Sequence, residues 1–108
     1  MAVPIAVMIR FKGDPDELLE RFERARRLWI EAQDSAYERP AFYAACKTGD
    51  GIVIVSGWES APAHRAFGEG IEPHIAAVGM GTPDQIDRLR IEKLGWEGGD
   101  DPAHRPDR

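Results

Sequence analysis

The first apolar segment of the chain alternates in a way that predicts a β-strand over residues 2–12. Apolar side chains occupy every second position, and the set comprises Val3, Ile5, Val7, Ile9 and Phe11. A period of two places these residues on one face of a strand and Met8 and Arg10 on the other. We therefore expect one face to pack in the core and the second to remain open.

A helical period follows, and we expect a helix over residues 15–33. The apolar residues Leu18, Phe22, Ala25 and Trp29 recur at spacings of three or four, which forms one apolar stripe on a helix. Asp14 followed by Pro15 and Glu17 is typical of a helix start with a capping box.

The middle of the chain predicts a hairpin. Residues 41–48 and 52–58 have the aromatic and β-branched content of strands, and the pair Asp50-Gly51 between them is a strong turn signal. Strands joined by so short a turn are antiparallel neighbours. Cys46 in the first of them is expected to be a small buried hydrophobe.

The last part of the chain predicts helical structure, a strand and a tail. Ser60 is a good N-cap, but Gly68, Gly70 and Pro73 favour two short helical pieces, 61–68 and 72–79. A strand over 85–94 should follow. Residues 97–108 are rich in Gly, Pro and Asp, so we expect one domain over residues 1–96 and a flexible tail over 97–108.

The predicted order is strand, helix, two strands, helix and strand. This βαββαβ order defines an α+β, ferredoxin-like fold, with a four-stranded antiparallel sheet and both helices on one of its faces. The strand over 52–58 is apolar on both sides. An apolar open face predicts an interface, and we expect a homodimer that packs sheet to sheet.

Composition narrows the function classes. The 108 residues carry a formal charge of −5, which argues against a nucleic-acid-binding surface. No apolar run approaches the roughly 18 residues of a membrane span, and the N-terminal segment lacks the basic region of a signal peptide. The single cysteine suits a reducing compartment, so we expect a cytoplasmic protein without a membrane or nucleic-acid partner.

The element order, the first strand AVMIRF and the segment GIVIVSGWESAPAHRAF resemble the dimeric α+β barrel superfamily. In particular they resemble small antibiotic-biosynthesis-monooxygenase-like (ABM) proteins, in which Trp58, Glu59 and Ser60 would lead from the third strand into a helix that carries Phe67. The resemblance implies a dimeric α+β barrel. It also implies a cofactor-independent monooxygenase-like protein that acts on or binds a small aromatic, polyketide-like phenol.

Candidate site residues follow from the alternation and from this resemblance. We expect the open face, as the barrel interior, to carry a substrate-binding set that consists of Met8, Arg10, Ser56, Trp58 and Arg90, with Arg88 beside Arg90. Phe67 completes the substrate-binding set. An arginine there would bind an anionic ligand, and Trp58 would stack on an aromatic substrate.

His74 and Tyr43 are the candidate catalytic residues, because each could move a proton. The alternatives are ordinary ones: Arg10 paired with Glu92, Trp58 packed at the dimer interface, and His74 solvated after Pro73. His64 is expected to be exposed beside Arg65. The three histidines lack metal-ligand spacing, and no nucleotide or flavin motif is present.

Two other functions remain open on the same fold. One is a polyketide cyclase or isomerase that needs only acid–base residues, and the other is a non-catalytic dimeric module that binds a small ligand. Haem degradation is disfavoured, because the first strand has no asparagine and Phe67 stands where haem-degrading relatives carry a tryptophan.

Overall fold

A computed structural model describes residues 3–33 and 39–95 and confirms the predicted βαββαβ order. The elements are β1 (Ile5–Lys12), α1 (Pro15–Glu31), β2 (Phe42–Lys47), β3 (Gly51–Trp58), α2 (Ala61–Ala77) and β4 (Gln85–Arg90). The expected tail, 97–108, lies outside the described residues, as does most of the loop before β2. No helix in the described part of the chain is long and apolar enough to cross a membrane.

The four strands form one antiparallel sheet in the order β2-β3-β1-β4. β1 and β3 are therefore central, and β2 and β4 are the edges. β4 ends at Arg90, earlier than the sequence predicted. Ile91 donates a last backbone hydrogen bond to the Pro4 carbonyl, with N···O 2.6 Å, and the ladder stops there because Pro4 has no N–H to donate in return.

The core lies between one face of the sheet and the two helices. Val7 of β1 is fully buried, and the apolar stripe of α1 packs on the same face, as predicted. Two clusters make up this core: Phe11, Leu18, Phe22, Ile52 and Ile54 in one, and Val7, Trp58 and Ala63 in the other.

The predicted face of β3 was wrong. Residues opposite each other in an antiparallel ladder share a face, and Ser56 lies opposite Val7 while Trp58 lies opposite Ile5. Ser56 and Trp58 therefore face the helices. The sequence left this open because both alternating sets of β3 are apolar, and the register with β1 decides between them.

The predicted face of β4 was wrong as well. Arg88 lies opposite Val7 and Arg90 lies opposite Ile5, so both arginines project on the helix side. Met8 and Arg10 are on the open face, as expected. The sheet therefore separates them from Ser56, Trp58 and Arg90, which were predicted to share their face.

The start of α1 matches the prediction in position but not in its hydrogen bond. Asp14 is the N-cap, but its side chain makes no capping hydrogen bond. Ser60, in contrast, caps α2 as predicted and accepts a hydrogen bond from the backbone N–H of Ala63 at 3.1 Å.

α2 is one continuous helix of 17 residues rather than two short pieces, with Pro73 inside it. The expected break is absent because burial of Ala63, His64 and Ile71 along one stripe outweighs the intrinsic cost of the glycines and the proline.

The open face of the sheet is largely apolar at its centre. Its side chains are Ala6, Met8, Arg10 and Lys12 of β1, Phe42, Ala44 and Cys46 of β2, Val53 and Val55 of β3, and Gln85, Asp87 and Leu89 of β4. The ring of Phe42 lies over Gly57, where a Cβ atom would overlap it. Cys46 is exposed, contrary to the prediction, because it lies on this uncovered face near the sheet edge.

Candidate functional site

A pocket of about 380 Å³ lies between the helix side of the sheet and α2. Its apolar lining consists of Ile9, Phe11, Phe22, Ile54, Phe67, Ile71, Ile75, Pro83 and Ile86. Its polar side chains are His64, Arg65, Glu69 and Glu72 of α2, Thr82 of the following loop, and Arg88 of β4. The size and the mostly apolar lining suit a small organic ligand.

The polar groups of the pocket are unevenly distributed. The sheet contributes apolar side chains except for Arg88, whereas the helix contributes His64 and three charged residues that are exposed at the rim. A ligand in this pocket would therefore meet an apolar sheet surface and would find its polar partners on α2 and at Arg88.

His64 is the buried titratable residue of the pocket. Its side chain is only 6% exposed, and burial, followed by the positive charge of Arg88, lowers its pKa below the ordinary value near 6.5. At neutral pH the imidazole is therefore uncharged and able to accept a proton. Its ring nitrogens make no hydrogen bond to any residue in the described ranges, which leaves them available to a ligand.

Arg88 supplies a positive charge at the same pocket. Among the described residues no carboxylate lies within ion-pair distance of its guanidinium, unlike Arg90, which pairs with Glu92 at 3.7 Å. A guanidinium stays charged at any physiological pH and binds an oxyanion through a planar pair of N–H groups. Arg88 therefore favours an anionic or readily ionised ligand.

Trp58 lies behind His64 rather than in the pocket. It is 1% exposed, and its indole N–H donates to Ser56 Oγ at 2.7 Å. Its ring contacts His64 edge to face, with 5.3 Å between centroids, and contacts Phe67 at 4.8 Å. Trp58 thus supports two pocket-lining side chains without lining the pocket itself.

The structure separates the predicted substrate-binding residues. Phe67 lines the pocket, Met8 and Arg10 lie on the far face of the sheet, and Arg90 is exposed at the end of β4. Ser56 is buried, and its hydroxyl accepts a hydrogen bond from the Trp58 indole N–H. The hydroxyl therefore satisfies a polar group within the core and does not line a barrel interior.

The two predicted catalytic residues also lie outside the pocket. Tyr43 packs against α1, where its ring meets Phe22 edge to face and carries the Arg26 guanidinium 4.2 Å from its centroid. Its hydroxyl donates to Glu23 at 3.5 Å. His74 is half-buried further along α2.

His64 was missed at the level of sequence, where it was expected to be exposed, and Arg88 was predicted on the wrong face of the sheet. A signal for His64 was present, because residues 64, 67, 71, 75 and 78 share the three- and four-residue spacing of a buried helical stripe. A signal for Arg88 would have required the register of β4 against β1. No group of three or more metal-ligating side chains occurs in the part of the chain that the structure describes.

Known structures share this fold at low sequence identity. A protein of unknown function from Nitrosomonas europaea superposes with a TM-score of 0.64 at 14% identity, over 90% of this chain and 97% of that one. A protein provisionally described as an antibiotic biosynthesis monooxygenase from Chloroflexus aurantiacus gives 0.58 at 16% identity, over 87% and 96%. SnoaB, a cofactor-independent oxygenase from Streptomyces nogalater, gives 0.54 at 17% identity, over 90% and 99%.

No protein-family model and no curated protein sequence matches the chain. The structural matches cover nearly the whole length of each partner, and they confirm the resemblance to ABM-like proteins at the level of the fold. The chain therefore has the ferredoxin-like α+β fold that these structures share. Which reaction it performs depends on the pocket, because one fold hosts many functions.

Proposed function

We propose that this protein is a cofactor-independent monooxygenase of the ABM type that oxidises a planar phenol in the pocket between the sheet and α2. One observation carries the proposal: a neutral His64 and Arg88 line the same largely apolar pocket, and among the described residues the imidazole has no hydrogen-bond partner and the guanidinium has no carboxylate partner. The fold shared with SnoaB, a cofactor-independent oxygenase, supports the same reaction class.

Different residues bind the aromatic ring and the hydroxyl group of the proposed substrate. The aromatic body of the substrate packs against Phe67 and the apolar sheet surface, and its hydroxyl lies between His64 and Arg88. His64 accepts the hydroxyl proton, and Arg88 stabilises the phenolate that results. Because the lowered pKa makes His64 a weaker base than free imidazole, the pair favours a phenol or enol acidified by a neighbouring carbonyl group.

The electrons come from the substrate itself. The phenolate transfers one electron to dioxygen, and the resulting phenoxyl radical and superoxide combine at a ring carbon to form a hydroperoxide. Loss of water, with the proton of that ring carbon, leaves a quinone. One phenol and one dioxygen thus give one quinone and one water, so the substrate gains one oxygen atom and loses two hydrogens.

We also propose that two copies associate through the open faces of their sheets. Leu89 is half-exposed there, opposite Ala6 of β1, and Met8 and Val55 lie opposite each other at the centre of the face. Covering such apolar surface stabilises an assembly by about 25 cal/mol per Å². The pocket lies on the other side of the sheet, so a dimer of this kind leaves it accessible.

Oxygen consumption with a series of planar phenols tests the proposed reaction. The expected result is uptake of one dioxygen per substrate and a product whose mass corresponds to the quinone, with label incorporated from ¹⁸O₂. A substrate that is converted without oxygen uptake would instead indicate a cyclase or isomerase. Saturable binding without any conversion would indicate a ligand-binding module.

A further inference from the structure

The orientation of the His64 imidazole is not fixed in the usual way. A catalytic histidine generally has one ring nitrogen bound to a carboxylate or a backbone carbonyl, which sets its tautomer and plane. His64 has no such bond to a described residue, and its ring is instead packed against Trp58, with 5.3 Å between centroids and 65° between planes.

Trp58 is itself fixed from two sides. Its N–H donates to Ser56 Oγ at 2.7 Å, and its ring packs on Phe67, which in turn meets Trp29 of α1 edge to face at 4.9 Å. This hydrogen bond satisfies the indole N–H of a residue that is 1% exposed. Without it the indole N–H would be left unpaired in the core, which is unfavourable enough to draw in water or move the ring.

We infer that Ser56 and Trp58 are positioning residues, which hold the His64 imidazole in one orientation through the chain Ser56 to Trp58 to His64. Neither residue lines the pocket, so their effect on a ligand is indirect. The titration of His64 separates the effect on the imidazole from the contact that Trp58 also makes with Phe67. The effect of this orientation on catalysis rests on the proposed function. The packing of His64 against Trp58 is present in the protein without substrate.

The charges around His64 come from few elements. The positive charge of Arg88 on β4 lowers the pKa of His64, and Arg65, Glu69 and Glu72 of α2 lie at the pocket rim. β1 and β3 contribute apolar side chains to the pocket. Substitution of Ser56 or Trp58 therefore alters the packing of His64 and leaves these charged residues in place.

The test is an NMR titration of His64 in the ligand-free protein, for wild type, Ser56→Ala and Trp58→Phe. Both variants remove the hydrogen bond, and Ser56→Ala deletes only one oxygen atom, so that variant retains the core volume. As water gains access to the imidazole, its pKa should rise towards the ordinary value, because the desolvation that lowers it is partly relieved. With a substrate, kcat should fall about ten- to a hundredfold, with its pH profile shifted in the same direction.

Tyr43→Phe is the matched control. Like Ser56→Ala it deletes one hydrogen-bonded hydroxyl oxygen, but the Tyr43 hydroxyl donates to Glu23 of α1 and Tyr43 does not line the pocket, so this substitution should leave the His64 titration unchanged. The inference is overturned if His64 titrates as in wild type in both test variants, or if Tyr43→Phe shifts it equally. If neither the wild type nor any variant consumes oxygen, the proposed function is rejected. The His64 titration then decides by itself whether Ser56 and Trp58 position the imidazole.

Discussion

The imidazole of His64 and the guanidinium of Arg88 line one pocket, although the first lies on α2 and the second on the edge strand β4. Burial and then the charge of Arg88 hold the pKa of His64 below its ordinary value. A neutral base and a fixed cation at one end of an apolar pocket are suited to removing a proton from a ligand and retaining the anion.

Arg88→Met should weaken the binding of an ionisable phenol about ten- to a hundredfold, because a charge-assisted hydrogen bond contributes about 1.5–3 kcal/mol. Calorimetry on a series of phenols and carboxylates measures the change. Both arginines are exposed. Arg90→Met is the matched control, since Arg90 lies two residues away on the same side of β4 but does not line the pocket and is paired with Glu92. Equal losses in both variants would contradict a specific role for Arg88.

Stability should depend on the protonation of His64. Its pKa is lowered in the folded protein relative to about 6.5 in the unfolded chain, so below that pH the unfolded state binds more protons and the free energy of unfolding falls. The contribution is fully present above pH 6.5 and is lost as the pH falls through the folded-state pKa.

Urea unfolding at about pH 7.5 and about pH 5 measures this effect. Wild type should lose more stability between the two conditions than His64→Gln, in which the other titrating groups are retained. An equal or greater loss in His64→Gln would show that His64 does not titrate as described.

Much of the fold could be predicted from the sequence. The alternation that ends at Phe11 and the helical stripe that ends at Trp29 each have one interpretation, because one face of each element is uniformly apolar and the opposite face carries charged residues, Arg10 and Lys12 in β1. β3 does not have this property: Ile54 and Val55 are equally apolar, so the sequence could not say which of them faces the helices. Its pairing with β1 decides, and pairing is a tertiary property.

The candidate site was less predictable for the same reason. Ser56 was placed in a barrel interior because it is polar, yet a buried hydroxyl is satisfied within the core by the Trp58 N–H. His64 was taken as exposed because Arg65 follows it, although adjacent helix residues differ by about 100° in direction and need not share an environment.

Pro73→Ala should stabilise the protein by about 1–3 kcal/mol. Pro73 lies inside α2 and is exposed, so it removes a helical hydrogen bond without adding a buried contact, and alanine restores the N–H. Chemical denaturation measures the free energy of unfolding. A lower stability for the variant would mean that α2 requires the proline where it stands.

Val55→Glu should disrupt the proposed dimer. Val55 lies on the open face of the central strand β3, and a charge buried at an interface is unfavourable unless it is paired. Light scattering should give a dimer for wild type and a monomer for the variant. Leu28→Glu is the control, because Leu28 is an exposed leucine of α1, 38% accessible and away from the sheet face. A monomeric wild type at micromolar concentration would reject the dimer.

The most direct test of the account is the initial rate of oxygen consumption with a phenol substrate for His64→Gln and His74→Gln. Both histidines are on α2, but only His64 lines the pocket. Loss of a general base should lower the rate of His64→Gln about a hundredfold, while His74→Gln retains the wild-type rate. A full rate in His64→Gln together with a loss in His74→Gln would contradict the assignment and place the chemistry outside this pocket.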